Sequence, residues 1–393
     1  MKSPFQLSTL SLALMALGTG AAQAITLEDY VDPNSRYEDA YVNGSFRAAN
    51  EAANATADDD DTTVDSVGDS IDLELDLDYE RVNSTTQRVK TFSGNIGGSV
   101  KSDDNGTRDN LGADATLTYD KYFEKYPKAF WFGSGTLDYL PDSEEEIAAD
   151  ATVGLGYGRV INATPLAKAL RLVEEFQKYG LLSAYPADDV MLRVAQIINK
   201  EREYESRLGI DDYRTGWYQD IESEFETAGI LADDGLGALG VIKIDEVLTE
   251  ESISTRKHGW VARAGATAII QDHQGNDSEP AFSLGFEYAK PYGYRGQLID
   301  EATYLLGDNS VFKNELSYTY EISNTIDWEN SWELILQQPD QGDDLMTNRL
   351  SSGFAYEISN LLTLGTGLTV TDNDFDEADA AAVFQTNLRY RLK

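Results

Sequence analysis

The sequence predicts an all-β fold, a transmembrane antiparallel β-barrel of about 14 strands, within roughly 12 to 16, carrying an α-helical insert. Three observations predict it. Apolar and polar residues alternate with period two along most of the chain. The alternating runs exceed the roughly 5 to 6 residues usual in soluble sheets and approach the roughly 9 to 11 that a tilted strand needs to cross a bilayer. The connections alternate between tight polar turns and longer acidic loops. A composition of 22 Tyr, 14 Phe and 32 Gly agrees with many half-apolar strands.

At the N-terminus Lys2 precedes an apolar run from Leu7 to Leu17, then "TGAAQA" with Ala22 and Ala24. This predicts a secretory signal peptide over residues 1–24 with an A-x-A site, since a run of about eleven residues is too short for a spanning helix of roughly 20. No Cys follows the site, which excludes a lipoprotein anchor; the chain has no Cys among its 393 residues, so disulfides and thiol chemistry are excluded too. Residues 25–161 read as the N-terminal part of the barrel, 162–256 as the helical insert and 257–393 as the C-terminal part.

The clearest strand is "IDLELDLDYERV", in which Ile71, Leu73, Leu75, Leu77 and Tyr79 share one face and Asp72, Glu74, Asp76, Asp78 and Glu80 the other. The pattern recurs in "RVKTFSGNIGGSV", "LGADATLTYD", "KAFWFGSGTLDYL", "IAADATVGLGYGRV", "GWVARAGATAIIQD", "AFSLGFEYAK", the weaker "YRGQLIDEATYLL", "VFKNELSYTYEIS", "TIDWENSWELILQ", "RLSSGFAYEIS", "LLTLGTGLTVTD" and "AVFQTNLRYRLK". "EISNTI" and "EISNLL" are tight turns, whereas "QPDQGDDLM" and "TDNDFDEAD" are long and acidic. Aromatic residues near strand ends, such as Tyr318, Tyr320, Trp328, Trp332 and Tyr356, match interfacial girdles.

In its signal peptide, strands and turn asymmetry the chain resembles the Gram-negative outer-membrane β-barrel proteins. The resemblance implies an outer-membrane location after cleavage near Ala24, surroundings of outer-membrane lipid and lipopolysaccharide, and insertion by the barrel assembly machinery. Such barrels commonly end on an aromatic residue, and this chain departs from that by ending "LRYRLK", with Leu388, Tyr390 and Leu392 in alternation and Lys393 last.

Parity then places the insert. With short turns on the periplasmic side, "IAADATVGLGYGRV" ends inside and "GWVARAGATAIIQD" starts inside, so the insert is periplasmic. The same count requires an earlier outward strand, for which "DAYVNGSFRA" is the candidate, although "SFRAANEAANA" also fits a short helix. Between it and the next strand "NATADDDDTTVDSVGDS" reads as an external loop. The acids Asp58–Asp61 and Asp372, Asp374 and Asp376 suit calcium or solvated loops, without the frame of an EF-hand.

In the insert Thr164 reads as an N-cap and Pro165 as the first helical residue. Leu166, Leu170, Val173 and Phe176 recur at helical spacing up to Gly180. A second helix is expected from about Pro186 to Leu208, a third from about Asp211 with Tyr213, Trp217, Ile221 and Phe225, and a shorter fourth in "LGALGVIKIDEVLTEES". These apolar stripes suit a self-contained domain, a surface for a periplasmic partner of the insert, or a plug in the lumen.

Charge bounds the function. There are 69 Asp and Glu against 31 Lys and Arg, a formal net of -38, and that field repels nucleic acid. Catalysis has little to use: His258 stands at a strand start, Asp272 and His273 lie in an external loop, and no metal spacing, phosphate loop or nucleophile motif occurs. No enzyme, cofactor or metal site is expected. If the apolar faces meet lipid, Asp72, Glu74, Asp76, Asp78, Glu80, Asp114, Glu287, Asp327, Glu329 and Glu333 line the lumen with Arg263, Arg349, Arg389 and Arg391. Such a wall favours cations, or pairs its charges across a lumen that conducts nothing. The readings are a passive porin-like channel for small solutes with weak cation preference, or a barrel that anchors a helical domain docking an envelope or export partner.

Overall fold

The computed structural model describes residues 25–50, 69–103, 106–141, 143, 145–233, 235–273, 275, 279–339, 344–373 and 381–392. Residues 1–24, read from the sequence as a signal peptide, and Asp58–Asp61, Asp374 and Asp376 lie outside the described residues. Fourteen antiparallel strands close into one barrel in chain order: β1 Ser35–Asn50, β2 Asp69–Thr85, β3 Arg88–Asp103, β4 Gly106–Phe123, β5 Tyr126–Tyr139, β6 Ile147–Asn162, β7 Lys257–Gln271, β8 Glu279–Tyr292, β9 Gly296–Leu306, β10 Ser310–Ser323, β11 Ile326–Gln338, β12 Leu345–Ser359, β13 Leu362–Asn373 and β14 Ala381–Arg391. The first strand pairs with the last from Tyr41↔Arg391 to Phe46↔Thr386, which leaves no open edge. β1 runs as strand through Asn50, so "SFRAAN" is not helical.

The outside is apolar. Leu73, Leu75, Leu117, Val153, Leu155, Leu350, Phe354 and Phe384 are all exposed. In water a belt of this extent would drive aggregation, whereas in hydrocarbon it costs nothing, and a closed barrel satisfies its backbone without help from solvent. The fold is therefore a transmembrane β-barrel. Outward aromatic rings crowd the end where the short turns lie, with Tyr119–Trp131 at 5.6 Å, Tyr157–Trp260 at 5.9 Å and Tyr318–Trp328 at 6.1 Å between centroids. The turns at Thr86–Gln87, Glu124–Lys125, Gly293–Arg295, Asn324–Thr325 and Asn360–Leu361, the insert and the start of β1 all share this short-turn end.

The insert contains α1 Thr164–Lys178, α2 Asp188–Ile198, α3 Glu201–Leu208, α4 Tyr213–Thr227 and α5 Gly237–Asp245, which passes into a wider turn over Glu246–Glu250. The helix expected from Pro186 to Leu208 is two helices. Asn199 ends α2 and spends its amide on the Asn34 carbonyl at 2.7 Å, and Lys200 then leaves the helical region. Thr164 is not the cap but the first helical residue. Asn162 Oδ1 accepts the Thr164 N–H at 2.9 Å, while Thr164 Oγ1 accepts the Arg256 N–H at 2.9 Å. The third helix begins at Tyr213.

The insert is also a tandem repeat. "EFQKYGLL" at 175–182 and "EFETAGIL" at 224–231 each end a helix on a glycine at positive φ, 68° at Gly180 and 66° at Gly229. The residue after each glycine donates back to the phenylalanine carbonyl, Leu181 to Phe176 at 2.9 Å and Ile230 to Phe225 at 3.3 Å. Leu182 and Leu231 form an antiparallel bridge that joins the halves. The core lies here: Leu166, Leu172, Phe176, Met191, Val194, Trp217, Ile221 and Phe225 are almost wholly buried, together with Leu27 and Tyr30 from the segment before β1.

Candidate functional site: the acidic lumen and its covered mouth

Contacts between strands that are not neighbours in the sheet identify the interior. Arg263 on β7 pairs with Asp120 on β4 at 2.8 Å, and Arg389 on β14 stands 3.7 Å from Glu329 on β11. Such side chains meet only through the inside. From these anchors period two carries the interior face along each strand.

The carboxylates of β2 form an axial column. Glu74 accepts from Ser45 at 3.2 Å, Asp78 from Asn43 and from Asn95 at 2.7 Å, and Glu80 from the Tyr37 hydroxyl at 3.3 Å. Asp76 overlies Gly97, where a Cβ would lie 2.4 Å from the carboxylate oxygen. Asp72 is in register with Lys101, and Asp114 with Asp138 and Asn95. On the facing wall the register sets Glu287, Glu301, Glu315, Glu333 and Arg349 side by side across β8 to β12. Directly opposed like charges are destabilising, and Glu333 is relieved by Lys313 at 3.2 Å and Arg349 at 3.0 Å. Arg391 lies 3.6 Å from Asp39.

The column and the row approach each other at the short-turn half. There a cavity of about 340 Å³ is lined by Tyr37, Glu80, Asp120, Phe132, Lys257, Arg263, Glu287 and Glu301. The Lys257 ammonium reaches from β7 to within 5.9 Å of the Tyr37 ring centroid on β1. Of this lining, Glu80, Arg263 and Glu287 are among the residues expected from the sequence to face the lumen, and Asp120, Glu301, Lys257 and Tyr37 are not. Asp120 was detectable, being in phase with Asp114. Glu301 lies in the weakest alternating run, and Lys257 stands at the very start of its strand.

The short-turn mouth is covered. On one side Asn162 Nδ2 bonds Ser35 Oγ at 3.2 Å, and Arg159 donates to the carbonyls of Thr85 and Thr86 at 2.9 and 3.1 Å. His258 Nε2 donates to the Tyr30 carbonyl at 2.7 Å, which ties the N-terminal segment to β7. On the other side α1 and the strap 251–256 meet β10, β11 and the β8–β9 turn. Glu321 on β10 accepts from both Arg171 of α1 and Arg256 of the strap, and the two arginines and Glu321 are almost wholly buried. Arg171 also bonds Glu251 at 3.1 Å. Arg256 donates further to the carbonyls of Tyr294, Ser254 and Arg295, each at 3.0 Å, and Ser254 Oγ lies 3.2 Å from Asp327.

Outside the membrane span, Glu174 of α1 accepts from Tyr294 and from Arg295 at 3.0 Å. Burial pulls its pKa up, but these hydrogen bonds and the two nearby arginines outweigh burial and hold it below the usual carboxylate range. Burial raises Glu251 despite Arg171 beside it. Lys168, which donates to the Leu248 carbonyl at 3.3 Å, is lowered by burial against the pull of Glu201.

At the long-loop end His273 gathers Asp138 at 3.5 Å from Nε2 and Ser143 Oγ at 3.4 Å from Nδ1. Its Nδ1 also faces the Glu145 carbonyl at 2.9 Å and must donate there, so it cannot take a proton from Ser143. The group ties loop ends together rather than forming a nucleophile and base. Among the described residues no cluster of His, Asp and Glu has the grouping of a metal site.

No protein-family model matches the chain, and no curated protein is recognisably similar to it. Among solved structures it is similar to a BenF-like porin from Pseudomonas fluorescens, with TM-score 0.36 and 8% identity over 92% of this chain and 99% of that one. It is similar to Pseudomonas putida OprB, with TM-score 0.36 and 8% identity over 91% and 94%. The outer membrane protein Omp33 of Acinetobacter baumannii gives TM-score 0.32 and 6% identity over 91% and 100%. These likenesses go no further than barrel architecture.

Proposed function

We propose that the protein is an outer-membrane channel for small solutes, with a preference for cations, whose periplasmic mouth is covered by the helical insert. The observation that carries the reading is the interior charge: a column of five carboxylates on β2 faces a cross-strand row that includes Glu287, Glu301, Glu315 and Glu333. Carboxylates gathered in a low-dielectric wall raise the local cation concentration and repel anions. The short turns and the start of β1 belong on the periplasmic side by the usual asymmetry of such barrels. The insert then lies in the periplasm.

The test is planar-bilayer recording with the full-length protein and with a variant whose residues 162–256 are replaced by a short turn. The expected result is low conductance for the first, higher conductance for the second, and a reversal potential in a potassium chloride gradient that reports cation preference. Silence from both proteins would sink the channel reading.

A second reading has one observation of its own. Leu239 and Ile242, one turn apart on α5, are exposed, an apolar pair suited to a periplasmic protein partner of the envelope or export machinery. A channel silent in both forms, with an insert that captures one envelope component specifically and loses it on Ile242→Asp, would favour this alternative.

A further inference from the structure

We infer that the insert is a detachable closure of the lumen, held shut by a latch centred on Glu321. The inference rests on the channel reading for what is closed, and on the composition of the seam for how it opens.

Two kinds of contact hold the insert, and they are separated in space. Its apolar core lies apart from the barrel wall, and the segment before β1 adds Ile25, Leu27 and Tyr30 to it. Among the described residues, the barrel wall and its turns contribute only Ile161 and Tyr294 to that cluster, both partly buried. The seam itself is polar: Arg171 and Arg256 on Glu321, Ser254 on Asp327, Tyr294 and Arg295 on Glu174, Arg202 on Glu38 at 3.2 Å, and Asn199 on Asn34. A domain whose core stands behind a polar seam can leave as a rigid body, here together with the segment before β1 once the His258 bond to the Tyr30 carbonyl parts, because the seam groups regain water while the core stays intact. Glu321 is the keystone, for its carboxylate bridges two buried guanidiniums, one from α1 and one from the strap, while Glu251 of the strap supplies the second negative charge on Arg171. Removing its charge leaves two buried guanidiniums with Glu251 on Arg171 alone and takes the ion-pair partner from Arg256, and an under-compensated charge in a buried site is far more costly than one bound or solvated. The least costly response is for α1 and the strap to move out into water.

The test is hydrogen–deuterium exchange on the full-length protein in detergent, comparing wild type, Glu321→Gln and the milder Arg171→Gln, with bilayer recording alongside. The latch predicts exchange roughly a hundredfold faster in the strap 251–256 and the first turns of α1 for Glu321→Gln. Protection around Phe176 and Phe225 stays unchanged, and Arg171→Gln falls between wild type and Glu321→Gln. In recording, Glu321→Gln then opens as the insert-deleted protein does. Unchanged exchange at the strap overturns the latch, and so does loss of protection through the whole insert at once, because docking would then be inseparable from folding. Exchange reads undocking whether or not the protein conducts. A silent insert-deleted protein with a loosened strap therefore rejects the channel and keeps the latch.

Discussion

Gly156 shows how a single residue shapes the interior. It stands on the inner face of β6, where the Phe130 ring from β5 lies flat against the wall; a Cβ there would come within 2.2 Å of the ring and 2.9 Å of the Ala262 carbonyl. Phe130 is fully buried, is 4.9 Å from Tyr122 between centroids and lies under the Arg263 guanidinium at 5.5 Å. The missing side chain lets the ring lie along the wall instead of crossing the lumen. Gly156→Ala should destabilise the barrel by about 1–3 kcal/mol, the usual cost of overpacking, read as a lower urea midpoint for loss of the compact form on unheated gels. Phe130→Leu should cost less in that background than in the wild type, because the two residues share one space. Additive losses would show that they do not. The alternation in "GLGYGRV" is readable from the sequence, but the reason for its glycines is not, since that depends on which ring the neighbouring strand supplies.

Among the elements, the strands were legible and the helices only partly so. A strand such as β2 carries its orientation in its own alternation, and lipid on one side with water on the other enforces that alternation without reference to neighbours. The helices answer to each other. The break between α2 and α3 falls at Asn199, a weak helix-stop signal in the sequence, and its bond to Asn34, a residue far away in the chain, is not local and cannot be read there. The repeat was legible in principle, in the recurrence of Glu-Phe, Gly and Leu at fixed spacing, but the dissimilar loops that follow conceal it. Similarly, Arg171 lies off the apolar stripe of α1 and reads as a solvated residue, whereas it is among the most deeply buried polar groups of the described residues. If the insert has an independent core, its stability should be separable from that of the barrel. Phe225→Ala removes a fully buried ring that meets Phe176 edge-on at 5.5 Å and should cost about 3–5 kcal/mol. Thermal scans should then show the helical circular dichroism signal melting earlier while the strand signal keeps its transition. A single transition that shifts as one would show that insert and barrel form one cooperative unit.

At the scale of the whole molecule, the excess of negative charge and the barrel's stability pull in opposite directions. Glu301 is the sharpest place to see it: the register sets it between Glu287 and Glu315, with Lys257 across the cavity as the nearby cation. Neighbouring like charges cost roughly 0.2–1 kcal/mol per pair, so a chain selected for stability alone would have no reason to keep three in line. A chain that must draw cations through its interior would. Glu301→Gln keeps the size and the hydrogen-bonding capacity and removes the charge, which predicts two changes of opposite benefit. The unfolding midpoint should rise in low salt, and the gain should shrink towards molar salt as the screening length falls to about 3 Å. In the insert-deleted background the potassium-to-chloride permeability ratio, measured from the reversal potential, should fall. A midpoint that drops would mean Glu301 is held by bonds that outweigh its repulsion. A midpoint that rises with an unchanged permeability ratio would remove Glu301 from the proposed cation preference and leave it to the β2 column from Asp72 to Glu80.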